Sequence, residues 1–176
     1  MDALQGGAEM GAYATAFPGS NAVTPENAAA LEQQWGFPVP GESGLTTPEM
    51  IDAGLRGDLD VLFSAGGNFM EAMPEPGYID DALERIPLRV HQDIVLTNQM
   101  LIDPGEMVIL LPAMTRYETP GGLTQTSTER RIMFSPEVEG PRIAEARPEW
   151  SVYTEIARRV KPELTDRVSF ANTQAI

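Results

Sequence analysis

A glycine-rich turn directly after a short apolar run is the stretch of this chain best suited to bind a ligand. Residues 60–65 combine apolar and small side chains and predict a short buried strand, and Gly66, Gly67 and Asn68 follow it. Glycine lets main-chain N–H groups approach an anion closely, and open α/β sheets bind nucleotides beyond the carboxyl ends of their strands. The turn has neither the GxGxxG pattern nor the Lys-Ser/Thr of a phosphate loop, so these residues alone favour a plain strand-to-helix turn.

The elements around this turn alternate between helices and apolar strands. Thr24 and Pro25 have the types expected at a helix N-cap and first position, and Thr46 and Glu49 have the spacing of a capping box. Strands are predicted at 60–65, 88–95 and 107–111, and helices at 25–35, from Thr46, from Tyr78 and from Pro148. This order predicts an α/β fold whose sheet is parallel and flanked by helices.

The same pattern divides the chain into consecutive parts of a single α/β segment. A Gly- and Pro-rich part with two helices covers 1–58, and the strand and helix core covers 59–112. A long loop is expected at 113–147, followed by a helix at 148–161 and a tail at 162–176. Loops of this length are usually functional or disordered, and the threonines here favour ordered contacts. The character of both termini suggests a fragment of a larger multidomain subunit.

The composition argues against several classes of partner and site. The chain carries 26 acidic residues against 12 basic ones, a net charge of -14 over 176 residues. Such a surface repels phosphates and anionic lipids, so neither nucleic acid nor a membrane is expected as a partner. No cysteine is present, which excludes disulfides and thiolate metal sites. No apolar run reaches membrane-spanning length and no signal-peptide pattern is seen, so a cytoplasmic location is expected.

Neither a catalytic residue nor a metal site is predicted from the residue types. His91 is the only histidine and stands in a strand pattern without a second histidine or a cysteine, so a structural role is favoured. The Ser and Thr residues at 124–128 have no base nearby in the sequence. Asp80, Asp81 and Glu84 fit a solvated helix face better than a metal site.

A series of separated motifs gives the chain a family resemblance. In order, they are Gln92-Asp93 after a strand, Leu111-Pro112, Glu118, Gly121-Gly122, Thr128-Glu-Arg-Arg131 and Glu145-Ala-Arg-Pro-Glu-Trp150. This order resembles the catalytic subunits of the molybdenum bis-guanine-dinucleotide oxidoreductases, which include formate dehydrogenases and periplasmic nitrate reductases. The stretches WGFPVP, GGNF, TSTERR and GPRIAEARPEW are most similar to the formate-dehydrogenase-like branch. The resemblance covers nearly the whole chain.

The resemblance implies a Rossmann-like α/β piece of a molybdopterin oxidoreductase catalytic subunit. In the family this piece binds one of two molybdopterin guanine dinucleotides, and the residue on the metal lies outside it. The implied cofactor is bis-molybdopterin guanine dinucleotide with molybdenum or tungsten, and an iron–sulfur cluster, where present, lies elsewhere in the parent chain. The implied partners are this cofactor and the remaining domains of the parent subunit. The piece alone is expected to be inactive.

Roles carried over from the family place the cofactor at two strand ends. Gly66, Gly67 and Asn68 match the family's strand-end turn, so their N–H groups and the Asn68 amide are expected to meet pyrophosphate or ribose oxygens. Gln92 and Asp93 match a polar-Asp pair at the next strand end. A carboxylate there is expected to accept from ribose hydroxyls or from the N–H edge of guanine.

The remaining candidate cofactor-binding residues follow or depart from later family motifs. Glu118 matches the acid of an E-x-x-G motif. Thr119 stands where some relatives have a cofactor-contacting Lys, so Arg116 or Arg130 would supply the missing cation. Glu149 stands where relatives commonly have Asp, which keeps the charge but adds a methylene.

Two functions of other kinds remain as alternatives. A nicotinamide-dependent dehydrogenase fragment requires a GxGxxG pattern, which the chain lacks. A noncatalytic α/β interaction module would instead use the acidic surface as its binding face.

Overall fold

Two units make up the structure, a computed structural model that describes residues 13–126 and 131–175. The first unit is Met1–Met50 with Thr124–Met133, and the second is Ile51–Leu123 with Phe134–Ile176. In the first unit, β1 (Ala16–Phe17) and β2 (Asn21–Ala22) form a short antiparallel pair, and α1 spans Pro25–Trp35. The Thr24 hydroxyl oxygen accepts from the Asn27 N–H at 3.3 Å, so the predicted start of α1 is confirmed.

The next helix, α2 (Thr47–Arg56), begins with the predicted capping box. The Glu49 carboxylate accepts from the Thr46 N–H at 2.7 Å and from the Thr46 hydroxyl at 2.6 Å. These two hydrogen bonds stabilise the ionised form and lower the pKa of Glu49. The spacing of Thr46 and Glu49 therefore predicted the helix start correctly.

A three-stranded parallel sheet forms the centre of the second unit. Its strands are β3 (Val61–Ala65), β4 (Leu88–Asp93) and β5 (Met107–Pro112), in the spatial order β3-β4-β5. Val61 pairs with Leu88 and Leu88 pairs with Met107, so the three strands start level with one another. The predicted α/β class with a parallel sheet is confirmed.

Two helices lead from β3 to β4, namely α3 (Phe69–Ala72) and α4 (Pro76–Arg85). Apolar residues of α2, β3 and α4, with the residue that follows α4, are buried on one side of the sheet: Ile51, Ala53, Leu62, Ile79, Ala82, Leu83 and Ile86. Burying each large aliphatic side chain stabilises a fold by about 1.5–3 kcal/mol, so these residues form the core of the unit. No helix in the described ranges combines the length and apolar content needed to cross a membrane.

The two faces of the sheet are covered unequally. Leu62 and Ser64 of β3 are 5% exposed, whereas Val61, on the opposite face, is 52% exposed. The helix α5 (Glu149–Val160) lies on this second face, where the Tyr153 ring packs against Phe63 with 5.3 Å between centroids. No described residue of α5 is fully buried, so this face of the sheet stays partly open.

The predicted loop after β5 contains strands that the sequence reading missed. β6 (Leu123–Thr126) and β7 (Ile132–Ser135) form a two-stranded sheet inside the 113–147 stretch. The Leu-Thr-Gln-Thr run has the alternation and the β-branched residues of a strand, but its polar composition favoured a loop. The second predicted strand also ends earlier, at Asp93 rather than at 95. Ile94 and Val95 are 56% and 61% exposed, so they do not continue the sheet.

Gly122 and Gly57 provide a matched test of packing beside β7. Both have positive φ, 77° and 76°, but a Cβ on Gly122 would lie 2.5 Å from the Ser135 carbonyl oxygen, whereas one on Gly57 meets open space. We expect Gly57→Ala to lower the free energy of unfolding by about 1 kcal/mol through backbone strain alone. Gly122→Ala should cost ~2 kcal/mol more because the backbone must move. Urea unfolding of both variants measures this difference, and equal losses would contradict it.

Candidate functional site

The carboxyl ends of the three parallel strands lie side by side. The Gly66 N–H donates to the Gln92 carbonyl at 2.8 Å, and the Ala113 N–H donates to the Asp93 carbonyl at 2.9 Å. These bonds extend the ladders of β3 with β4 and of β4 with β5 by one residue. The residues predicted at separate strand ends therefore meet along one edge, which is where open α/β sheets bind ligands.

The glycine turn has main-chain donors without partners in the described chain. Gly66 and Gly67 have φ of 71° and 79°, values that favour glycine, and a Cβ on either would touch nothing within 4 Å. Within the described ranges, the N–H groups of Gly67 and Asn68 have no hydrogen-bond partner. The Gly66 N–H belongs to the sheet, so the expectation that it reaches a ligand is corrected to these next two groups.

A buried glutamine holds the turn from behind. Gln99 belongs to the 3₁₀ turn Asn98–Leu101 and is 0% exposed. Its Oε1 accepts from the Phe69 N–H at 2.7 Å and its Nε2 donates to the Gly67 carbonyl at 2.9 Å. Beside it, the Asn68 Nδ2 donates to the Asn98 Oδ1 at 2.6 Å. Residues 67–69 are thus fixed by side chains that follow the neighbouring strand.

A buried arginine in turn holds this 3₁₀ turn. Arg89 of β4 is 0% exposed. Its Nη1 donates to the Gln99 carbonyl at 3.2 Å, and its Nη2 donates to the carbonyls of Ile102 at 2.5 Å and Asp103 at 3.2 Å. The two terminal nitrogens of the guanidinium are therefore satisfied by backbone oxygens of residues 99–103, whereas Nε is buried without a partner in the described chain. The bonded nitrogens order the segment that supports the glycine turn.

Asp93 lies at a pocket of about 230 Å³ beyond the ends of β4 and β5. His91, Met100 and Leu110 also line the pocket. One Asp93 carboxylate oxygen accepts from the Ile94 N–H at 2.7 Å, and the other makes no hydrogen bond to the described residues. Side chains alternate along a strand, so Arg89, His91 and Asp93 share the face on which Gln99 supports the turn.

His91 is a buried histidine in this pocket without a hydrogen-bond partner. It is 1% exposed, and neither ring nitrogen is paired with a described residue. Burial lowers the pKa of His91 below its ordinary value of 6.5, the positive charge of Arg89 lowers it further, and Asp93 raises it. The ring is therefore neutral near pH 7.

Gln92 points to the other face of the sheet. Its side chain is 0% exposed, and Nε2 donates to the Arg147 carbonyl at 3.3 Å, while Oε1 is buried without a described partner. The Arg147 N–H donates to the Pro112 carbonyl at 3.0 Å. On this face a groove of about 740 Å³ runs between the sheet and α5, lined by Phe63, Val90, Ile109, Arg147, Ile156 and others.

The three candidates after β5 lie in one tight turn. The Glu118 carboxylate accepts from the Thr115 N–H at 2.8 Å, and this backbone bond, with the Thr115 side chain, lowers the pKa of Glu118. Thr119 is 4% exposed and its hydroxyl donates to the Thr115 carbonyl at 3.1 Å. Arg116 is exposed and forms no ion pair within the described chain. Of the three, only Arg116 keeps its side chain unengaged by the turn.

The last two candidates, Glu149 and Arg130, are not placed at this edge. Glu149 is the exposed first residue of α5, two residues after the Arg147 that bonds to the end of β5. Arg130 lies outside the described residues.

The sequence analysis missed Asn98, Gln99 and Arg89. The run Thr97-Asn98-Gln99 after an apolar strand was a signal for side chains that reach the strand ends. Across the ranges 13–126 and 131–175, no cluster of three His, Asp or Glu residues is arranged to hold a metal.

The fold is an α/β segment with a parallel sheet, and three curated relatives are similar to it. It is 30% identical over 158 residues to the probable oxidoreductase YjgC of Bacillus subtilis, covering 89% of this chain and 15% of the relative. The chain is 31% identical over 157 residues to an F420-dependent formate dehydrogenase subunit alpha of Methanocaldococcus jannaschii, and the match covers 89% of this chain and 22% of the relative. The chain is 29% identical over 177 residues to a nitrate reductase of Synechocystis, and the match covers 97% of this chain and 23% of the relative. No family model matches the chain.

The resemblance to the molybdopterin oxidoreductases is confirmed by these matches. The chain is similar to a segment of a probable oxidoreductase, a formate dehydrogenase subunit and a nitrate reductase. It spans less than a quarter of the length of each of these three relatives.

The buried neutral state of His91 has a consequence for stability. Its folded-state pKa lies below the ordinary 6.5, so the unfolded chain binds the proton more readily and stability falls as the pH drops below about 6.5. We expect this loss between about pH 6.5 and the lowered folded-state pKa, and His91→Gln should reduce it. Urea unfolding from about pH 8 to about pH 5.5 measures it, above the range where most carboxylates titrate. An identical pH slope in the variant would contradict this prediction.

Proposed function

We propose that this sheet edge holds one guanine dinucleotide tail of a molybdopterin cofactor in a formate-dehydrogenase-like, molybdenum-dependent oxidoreductase. The observation that carries the proposal is that main-chain hydrogen-bond donors and a carboxylate acceptor lie along the same sheet edge. The N–H groups of Gly67 and Asn68, unpaired within the described chain, follow β3, and Asp93 ends the adjacent strand β4. Donors suit a pyrophosphate, and an acceptor suits a ribose or a guanine edge.

An unpaired buried atom at the edge is consistent with a ligand that brings its own donors. Asn68 Oδ1 is a buried acceptor without a partner in the described chain. Leaving such an atom unpaired costs about 1–3 kcal/mol, so native structures usually supply a partner. Ribose hydroxyls and the amino and imino groups of guanine are donors of the required kind. The residues present therefore fit the group.

Phosphate binding at this edge relies on local groups, because the chain carries a net charge of -14. The helix α3 after the turn has only four residues and provides little dipole. The two N–H groups of Gly67 and Asn68 are fixed in place, and the exposed Arg116 offers a cation without an ion pair in the described chain. We assign Arg116 the role of the missing family Lys at Thr119.

The chain's own part in the reaction is to bind and orient the cofactor tail. Gly67 and Asn68 hold phosphate or ribose oxygens, and Asp93 accepts from the nucleoside. Glu118, Thr119 and Glu149 stay assigned to the cofactor side, with Glu118 and Thr119 shaping the turn after β5. The metal centre, when bound, supplies two-electron redox chemistry, with molybdenum or tungsten as the metal.

The remaining domains of a longer chain are the proposed protein partner. The chain covers 15–23% of the length of its three relatives. Apolar residues on β5 are exposed, with Met107 at 56% and Leu110 at 44%. Together with the open groove beside α5, these exposed residues offer an apolar surface of the kind that domain contacts bury. Any iron–sulfur cluster would belong to those other domains.

Asp93→Ala in the full-length protein tests the cofactor assignment. We expect at least about tenfold lower guanine nucleotide and molybdenum content per subunit, because a hydrogen bond to a charged group contributes ~1.5–3 kcal/mol. Asp81→Ala, on the exposed side of α4, is the matched acidic control and should retain the cofactor. Metal analysis and nucleotide release by acid measure both contents. Unchanged contents in Asp93→Ala, with an unchanged melting temperature, would overturn the assignment.

A further inference from the structure

We propose that Gln99 is a positioning residue that aims the main-chain N–H of Asn68 at the cofactor, an inference that rests on the function proposed above. Gln99 lies on a different connection of the fold from the glycine turn, after β4 rather than after β3. Gly66 and Gly67 have few steric restrictions, so contacts from outside these glycines fix the orientation of the turn. The Ser64 hydroxyl donates to the Gly66 carbonyl at 3.1 Å, but the peptide unit between Gly67 and Asn68 needs a further contact.

The geometry of a trans peptide explains how Gln99 acts. The carbonyl of Gly67 and the N–H of Asn68 belong to one planar peptide unit, and in a trans unit they point in opposite directions. The Gln99 Nε2 holds that carbonyl at 2.9 Å. The Asn68 N–H therefore points away from Gln99, toward the ligand side of the edge.

The same side chain fixes the far side of Asn68 as well. Its Oε1 accepts from the Phe69 N–H at 2.7 Å. A primary amide carries both a donor and an acceptor, so one glutamine can hold the peptide units before and after Asn68 together. A carboxylate or a hydrocarbon side chain lacks one or both of these functions.

Gln99 can act as a rigid support because it is itself held. It is 0% exposed, its N–H donates to the Asn98 Oδ1 at 3.0 Å and its carbonyl accepts from the Arg89 Nη1 at 3.2 Å. Ordering a free backbone residue costs conformational entropy, and a support that orders the turn in advance removes this cost from binding. The hydrogen-bonded series Arg89, Gln99, Gly67 thus preorganises the donors.

Three variants of the full-length protein test this role. Gln99→Met keeps the approximate volume but removes both bonds, and Gln99→Glu keeps an acceptor for the Phe69 N–H but no donor for the Gly67 carbonyl at neutral pH. Ile86→Val is the control for core destabilisation. Ile86 is fully buried and makes no hydrogen bond to the glycine turn. The measurements are guanine nucleotide released by acid per subunit, hydrogen exchange across residues 66–70, and melting temperature.

The expected pattern separates positioning from general stability. Both Gln99 variants should retain about tenfold less nucleotide than Ile86→Val when compared at equal distance below their melting temperatures. Hydrogen exchange at Phe69 should rise in Gln99→Met and stay closer to wild type in Gln99→Glu. If Gln99→Met does not fold, Gln99→Glu alone decides the question.

The outcomes against the proposal are distinct. Nucleotide retention in either folded Gln99 variant equal to that in Ile86→Val would overturn the positioning role and leave the proposed function intact. A wild-type protein that contains no guanine nucleotide would instead overturn the proposed function, and the positioning role with it.

Discussion

The burial of the Arg89 guanidinium is the constraint on which the strand-end region depends. Removing a cation from water costs several kcal/mol in a protein interior unless hydrogen bonds replace the lost solvent. Burial lowers the pKa of Arg89, and Glu84 and Asp80 act in the opposite direction, but no carboxylate within the described residues forms an ion pair with it. The carbonyl oxygens of Gln99, Ile102 and Asp103 instead accept hydrogen bonds from Arg89. Because all three carbonyls belong to one segment after β4, the two terminal nitrogens of Arg89 order that segment, while Nε stays buried without a partner in the described chain.

The alternation of side chains along β4 gives the two faces of the sheet different tasks. Arg89, His91 and Asp93 point to the face that carries the supporting 3₁₀ turn and the pocket beyond the strand ends. Val90 and Gln92 point to the face covered by α5, where Gln92 ties β4 to the Arg147 carbonyl. One strand thus organises the ligand side and the packing side of the same edge.

An acidic chain that binds a phosphate-containing ligand must do so with short-range groups. At ordinary salt the Debye length is about 8–10 Å, so distant carboxylates repel a bound phosphate only weakly. Main-chain N–H groups a hydrogen-bond length away dominate at that range, provided that they are already oriented. In the proposed function, the glycines at 66 and 67 leave these N–H groups unshielded by a side chain, and Gln99 holds the Gly67 carbonyl in place.

Local patterns determined the elements of this protein, whereas contacts between distant residues decided its site. The caps at Thr24 and Thr46, the apolar strands and the turn after Ala65 could be predicted because each depends on neighbours within a few residues. The candidate edge followed from parallel pairing, which brings like strand ends together. The strands at 123–126 and 132–135, the early end of β4 at Asp93 and the pairing of the Gly66 N–H were not predictable, because each depends on which partner strand is available. Gln99 meets Phe69 across 30 residues of sequence, and only the folded sheet brings them within hydrogen-bond distance.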